Sequence, residues 1–245
     1  MAFRTHSTDE THASAARPLV VFDLDGTLVD TAPDLVASLN HTIAKLGLEP
    51  FGTGDLTHLV GQGARVMIDR ALTTRKHPVT AEEIDRLFDV FIDHYTDEMP
   101  GASKPFPGLM DAMARFEEAN MRLAVCTNKQ EALARRLLDA LDLTGRFDVI
   151  TGGDTFPVRK PDAGHIYGTI DNAGGSRSAA VMIGDSINDI AAARNAGIPS
   201  VAVSFGYSDA EVGTLGATRI IDQYDELTPA LIDDLLSKAA QSISV

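Results

Sequence analysis

Leu19-Val20-Val21-Phe22-Asp23-Leu24-Asp25-Gly26-Thr27-Leu28-Val29-Asp30-Thr31 passes from a continuous apolar run into two aspartates, a glycine and a threonine. Four apolar residues without alternation are the signature of a strand covered on both faces, which is the usual condition of a strand in a parallel sheet. If strand geometry persists, Asp23 and Asp25 point to one side with their Cα atoms roughly 6–7 Å apart. Two carboxylate charges about 4 Å apart repel by about 4 kcal/mol at an effective dielectric near 20, and a cation removes that penalty. Oxygen donors of this hardness suit Mg²⁺, which takes one or two carboxylates and leaves its other positions to water and phosphate. An Asp-x-Asp-Gly string by itself is equally a polar turn, so further groups must come from downstream.

Working outward, Thr31 and Pro33 mark a helix start, and Leu35, Leu39, Ile43 and Leu46 follow at helical spacing until Gly47. A second helix is expected over Ala64 to Leu72. A third starts at Thr80, with Glu83 completing a capping box and Ile84, Leu87, Phe88, Phe91 and Tyr95 on one stripe. No strand signal interrupts residues 32–100, so an all-helical block follows the first strand directly. Beyond Pro100-Gly101 and Pro105-Phe106-Pro107-Gly108 the pattern becomes helix and strand in alternation, with strands expected at Leu123 to Thr127, Phe147 to Thr151, Ala180 to Ile183 and Ser200 to Val203. Repeated units of this kind build a parallel sheet with helices on both faces, a Rossmann-like three-layer α/β core. Ligands of such sheets sit outside the carboxyl ends of the strands. There the sequence places Asp23 and Asp25, then Thr127-Asn128-Lys129, then Gly184-Asp185-Ser186-Ile187-Asn188-Asp189, with Arg159-Lys160-Pro161 just before a helix.

The totals narrow the function. The chain has 245 residues, 44% of them hydrophobic, enough for a substantial core in one large domain or two modest ones. A formal net charge of −14 repels nucleic acid and anionic membrane surfaces, so neither is an expected partner. A small phosphorylated metabolite is also an anion and needs metal or local positive charge, which makes the few cations informative. No apolar stretch approaches the roughly 20 residues of a membrane span, and Met1 to Pro18 lacks an apolar signal core, so a cytoplasmic location is the expectation. The single cysteine, Cys126, excludes an internal disulfide framework and reads as a small buried hydrophobe. Residues 1–16 read as a mobile tail.

The motifs and their order resemble the haloacid dehalogenase superfamily, whose phosphatases share all four, and the likeness extends from residue 19 to about 207. The resemblance implies that Asp23 is the nucleophile, forming an aspartyl-phosphate and ligating Mg²⁺. Asp25 would protonate the leaving alcohol, then activate water, and lend its backbone carbonyl to the metal. Thr127 and Asn128 would bind the phosphoryl group, and Lys160 would pair with nucleophile and phosphate. Asp185 would complete the metal ligands Asp23, Asp25 and Asp185, with Asp189 supporting from behind. The second aspartate also favours a phosphatase or phosphomutase over the carbon–halogen hydrolases of the superfamily, which lack it and the metal.

By the same resemblance residues 32–102 form a helical cap domain over a core of residues 17–31 and 103–245, with hinges near Thr31 to Pro33 and Ala102 to Pro105. A lid of this kind excludes water and restricts access to small substrates. Gly61, Gly63 and Arg65 of the cap are candidate substrate contacts, because a glycine-opened helix start presents free N–H groups to an anion and Arg65 would pair with a carboxylate. Together with Gly152-Gly153-Asp154, Lys160-Pro161 and Phe205-Gly206-Tyr207, this string is similar to the bacterial phosphoglycolate phosphatase family, which hydrolyses 2-phosphoglycolate to glycolate and phosphate. Gln130 and Ala163 stand where many relatives have proline. The alternatives are a sugar-phosphate, pyrophosphate or nucleotide phosphatase, a β-phosphoglucomutase-like phosphomutase, and, more remotely, a non-catalytic phosphometabolite-binding module. The cap surface is the candidate contact for a homodimer.

Overall fold

The computed structural model describes residues 16–52, 54–55, 59, 63–208 and 210–243, so the expected tail lies, apart from Ala16, outside the described residues. Strand β1 (Leu19–Phe22) is fully buried, and each such side chain contributes about 1.5–3 kcal/mol of burial. It pairs in parallel with β4 (Arg122–Cys126) on one side and β6 (Ala180–Gly184) on the other. With β5 (Val149–Thr151), β7 (Ser200–Val203) and β8 (Arg219–Ile221) it forms a six-stranded sheet in the order β5-β4-β1-β6-β7-β8, parallel throughout.

Because strand side chains alternate, β1 supplies two cores. Val20 and Phe22 join Leu109, Met113 and Phe116 of α4 (Leu109–Glu118), Leu137 and Leu138 of α5 (Glu131–Ala140) and Ile232 and Leu235 of α8 (Pro229–Ile243). Leu19 and Val21 join Ile166 and Ile170 of α6 (Ala163–Asn172) and Ala192, Ala193 and Ala196 of α7 (Ile187–Ala196). The result is the expected three-layer core. A one-residue slip of β1 would exchange its two faces, so its register is strongly fixed.

Between β2 (Val29–Asp30) and β3 (Lys104–Pro105) lie helices α1 (Ala32–Ala44), α2 (Ala64–Thr74) and α3 (Ala81–Glu98). Their inward stripes, including Leu35, Leu39, Met67, Leu72, Leu87, Phe91 and Tyr95, form a separate apolar cluster that Leu133 of α5 touches from the core side. Thr80 and Glu83 make the reciprocal capping box at the start of α3. Entry and exit of the block are tied together. β2 and β3 pair antiparallel, and the Asp34 carboxylate in the first turn of α1 accepts from Ala102 N–H at 2.8 Å and Ser103 N–H at 2.9 Å. Among the described residues no helix is long and apolar enough to cross a membrane.

Candidate active site

The chain leaves β4 toward one edge of the sheet and β6 toward the other, and a crevice opens where those loops part, beside the end of β1. The strand ends are pinned there: Asp23 N–H donates to the Ile183 carbonyl at 2.9 Å and Thr127 N–H to the Thr151 carbonyl at 3.0 Å. Asp23, Thr127 and Asp185 therefore face one space from three adjacent strands.

Asp23, Asp185 and Asp189 are buried, and one oxygen from each lies within 4.8 Å of the others. The Lys160 ammonium reaches into this group from its loop, 2.8 Å from Asp23 Oδ1 and 2.6 Å from Asp189 Oδ1. Burial, then the Asp189 carboxylate, push Asp23 up to about 6 against the pull of Lys160. Asp185 is also raised, by burial and by Asp189 and Asp23, although Thr27 Oγ1 donates to its Oδ1 at 2.9 Å and Tyr207 N–H to its Oδ2 at 2.7 Å. Burial disfavours the charge of Lys160, but Asp189 and Asp23 more than compensate and hold it protonated. One ammonium thus answers three carboxylates, and Asp23 Oδ1 accepts no hydrogen bond despite its contact with Lys160. Hard oxygen donors with uncompensated negative charge are what a small divalent cation requires, so the residues present fit Mg²⁺.

Two glycines allow this crowding. Gly26 has φ +82°, and a Cβ there would lie 2.3 Å from Asp185 Oδ2; a Cβ on Gly206 would lie 2.2 Å from the Asp185 Cβ.

Asp25 is organised separately. β1 stops at Phe22, so strand alternation no longer decides where the two aspartates point. The Asp25 carboxylate accepts from Lys129 Nζ at 2.9 and 3.1 Å and from Thr31 Oγ1 at 2.7 Å. It is not one of the three carboxylates that converge, and the family resemblance asks only for its backbone carbonyl. Lys129 is buried against Tyr95 of α3, 4.5 Å from the ring centre. Burial opposes its charge, yet Asp25 and then Tyr95 raise it, so it remains an ammonium. Tyr207 joins the loop after β7 to the start of the helical block, donating to Asp30 and accepting from Ala32 N–H at 3.0 Å.

Thr127 Oγ1 accepts from Lys129 N–H at 3.2 Å, which leaves its own O–H free to donate into the crevice. Asn128 Nδ2 donates to the Lys160 carbonyl at 3.0 Å, so this side chain positions the lysine loop. His165 assists by accepting the Lys160 N–H at Nδ1, 3.3 Å away; burial, then Lys160, push its pKa down to about 4 and keep it neutral. Ser186 N–H and Oγ both donate to Asp189 Oδ2, at 3.0 and 2.6 Å, within the capping box of α7. Asp189 thus contacts Lys160 and Ser186 through its two oxygens. Cys126 is buried, and burial pushes its thiol up to about 11, in keeping with an inert apolar role.

Above these groups lies a cavity of about 330 Å³. Its core side is lined by Asp23, Asp25, Thr127, Asn128, Lys129 and Asp185, and its other side by Gly63 and Arg65 of the α2 start and by Met67, Phe88, Phe91 and Tyr95. Gly61 lies outside the described residues. Arg65 is bonded to Asp85 within the helical block and lies over the Phe88 ring, 4.7 Å from its centre. Lys129, Tyr95 and Thr27 join the site without a sequence-level assignment. For Lys129 the available signal was its place directly behind Thr127-Asn128 in a chain poor in cations.

Residues 20–203 match the family model described as haloacid dehalogenase-like hydrolase. The chain is 56% identical over 223 residues to a phosphoglycolate phosphatase of Agrobacterium fabrum, covering 91% of this chain and 96% of that protein. It is 49% identical over 224 residues to a phosphoglycolate phosphatase of Mesorhizobium japonicum, covering 91% and 99%. Among solved structures it is similar to CbbY from Rhodobacter sphaeroides in complex with phosphate, with a TM-score of 0.76 and 27% identity over 89% of this chain and 99% of that one.

Proposed function

The chain belongs to the haloacid dehalogenase-like hydrolase family, and from that membership and the geometry of the crevice we infer that it is a phosphomonoester hydrolase converting 2-phosphoglycolate to glycolate and phosphate. The observation that carries the chemistry is the meeting of Asp23, Lys160 and Asp185 at the ends of two adjacent strands, with Thr127 beside them. Spontaneous hydrolysis of a phosphate monoester is among the slowest of biological reactions, so catalysis rests on positioning and charge neutralisation worth up to about 20 kcal/mol or more.

In this reading an Asp23 oxygen attacks phosphorus, and the bond from phosphorus to the glycolate oxygen breaks as the aspartyl-phosphate forms. Asp25, held by Thr31 and Lys129, gives its proton to the departing oxygen; it then takes one from the water that attacks phosphorus, releasing phosphate and restoring Asp23. Lys160 and the Thr127 hydroxyl neutralise and orient the equatorial oxygens, while Asn128 and His165 hold the Lys160 backbone in place. Asp23, Asp185 and the Asp25 carbonyl would hold Mg²⁺, which would supply positive charge against the phosphoryl oxygens; Asp189 secures Lys160 rather than the ester. Residues 32–102 act as a cap over the core of residues 17–31 and 103–245, a role supported by their separate apolar cluster and by the apolar wall they give the cavity. Gly63 and Arg65 belong to that wall's substrate edge.

The test is phosphate release from a panel of phosphorylated metabolites, with and without Mg²⁺, compared by kcat/KM. Phosphoglycolate is expected to lead, and activity to depend on the metal. Preference for glucose 1-phosphate, pyrophosphate or nucleotides would overturn the substrate, and isomerised hexose phosphate in place of free phosphate would overturn hydrolysis.

A further inference from the structure

We propose that Arg159 is the specificity-determining residue of this site, the guanidinium that receives the substrate's carboxylate. The inference deepens the phosphoglycolate reading and rests on it.

Phosphoglycolate carries negative charge at both ends, separated by one oxygen and one methylene. Its phosphoryl end has Lys160 and Thr127. Its carboxylate needs a second cation within a few ångströms, in a cavity already lined by the acids Asp23, Asp25, Asp154 and Asp185. Among the described residues three cations line that cavity, and two are committed. Lys129 is held by both oxygens of Asp25, and Arg65 is bonded to Asp85 on the neighbouring helix. The guanidinium of Arg159 has no hydrogen bond or ion pair with any described residue, and the two acids nearest in sequence are engaged elsewhere: Asp162 accepts from Gly164 N–H at 2.7 Å and Asp154 from Glu131 N–H at 2.8 Å.

Arg159 is also in the right place. It is joined by one peptide bond to Lys160, whose side chain is buried against Asp23 and Asp189, whereas Arg159 is exposed at the mouth of the cavity. Its Nη1 lies 3.9 Å from where a Cβ on Gly63 would sit, and the Asn128 carbonyl oxygen lies at the same distance from that point. The guanidinium therefore faces the first turn of α2, where Gly63, Ala64 and Val66 line the cavity and the opening N–H groups have no acceptor within the helix. A carboxylate between Arg159 and that turn accepts a two-pronged pair from the guanidinium and a hydrogen bond from the backbone. The missing side chain of Gly63 keeps this gap open. The core thus supplies the cation that reads the non-phosphoryl end, and the helical block supplies the opposing wall.

The test compares phosphoglycolate with 2-hydroxyethyl phosphate, its neutral counterpart of similar size, on the parent enzyme and on Arg159→Gln and Arg159→Lys. The ratio of kcat/KM for phosphoglycolate to that for the neutral ester is expected to fall about 10–100-fold in Arg159→Gln, which at 1.36 kcal/mol per decade is about 1.4–2.7 kcal/mol. Most of the fall should appear in KM, because the carboxylate is bound alike in ground and transition states. Arg159→Lys keeps the charge but not the fork and should recover part of the ratio. Equal loss on both esters, or no loss, overturns the assignment while a parent preference for phosphoglycolate keeps the substrate reading intact. A parent enzyme that does not favour phosphoglycolate over the neutral ester refutes the substrate reading, and the carboxylate anchor with it.

Discussion

Replacing Lys160 with methionine removes a buried ammonium and keeps most of its apolar stem. That ammonium is 2.8 Å from an Asp23 oxygen and 2.6 Å from an Asp189 oxygen, and its side chain is 1% exposed. At an effective dielectric near 20 each contact is worth about 6 kcal/mol of Coulomb energy, most of which is offset by the desolvation of the three charges. The measurable loss on breaking such a pair is about 3–5 kcal/mol, because carboxylates are left buried without compensation. The deficit has a pH signature. Asp23 already titrates near 6 with Lys160 in place, and without Lys160 it titrates higher. A carboxylate whose folded pKa exceeds its unfolded value favours folding below the unfolded pKa and loses that contribution as pH rises through the folded one. The deficit of Lys160→Met is therefore largest at high pH and shrinks as the pH falls toward about 6, over the interval in which Asp23 of the variant is protonated and Asp23 of the parent is not. Added Mg²⁺ opposes the same repulsion and should stabilise the variant more than the parent, even though phosphate release falls by about 10²–10³-fold. Urea unfolding followed by circular dichroism, in EDTA and in Mg²⁺ across this pH range, measures all of it. A deficit below about 1 kcal/mol, or one that does not change with pH, refutes the account of Lys160 as the compensating charge of a buried acid cluster.

Asp25→Asn removes the group proposed to protonate the leaving oxygen, so it should cost about 10²–10⁴-fold on phosphoglycolate and far less on p-nitrophenyl phosphate, whose leaving group needs no proton; steady-state kinetics on both esters decide it. Gly206→Ala brings a methyl into Asp185, 2.2 Å from its Cβ, and should destabilise the fold by about 1–3 kcal/mol and weaken Mg²⁺ binding, read by thermal unfolding and metal titration. His165 has its pKa lowered to about 4, so its contribution to stability is complete above its unfolded value of 6.5 and lost as pH falls toward 4. His165→Gln should therefore remove about 3 kcal/mol of acid sensitivity from the stability curve over that interval.

The parts of the site that were legible in the sequence are those whose position follows from chain-local rules. Asp23, Thr127 and Asp185 each come directly after an apolar run, and a parallel sheet brings such ends together whatever the rest of the chain does. Thr80 and Glu83 are likewise readable, since a capping box closes within one turn. Partner choice over long separations is not readable in this way. Nothing near Asp25 indicates that its carboxylate will meet Lys129, 104 residues later, and nothing near Arg65 indicates Asp85, on another helix. The two-residue strands β2 and β3 carry no period at all, and their pairing is imposed by the return of the chain from the helical block. By contrast, α8 does have a signal, with Leu231, Ile232, Leu235 and Leu236 at helical spacing behind Pro229.

The two acids of the Asp-x-Asp motif differ in what surrounds them, and in the proposed mechanism the difference divides the reaction between the two parts of the fold. Among the described residues the charged groups around Asp23 come from the core: Lys160 and Asp189 most closely, with Asp185 at the end of the adjacent strand. Asp25 instead looks toward the helical block. Its ammonium partner Lys129 rests on the Tyr95 ring of α3, and its hydroxyl partner Thr31 stands immediately before α1. A displacement of α3 would leave the Lys160 contact of Asp23 intact while disturbing the ammonium that holds Asp25. In the proposed mechanism, attack on phosphorus is thus prepared by core residues alone, whereas the acid's ammonium partner also rests on the helical block.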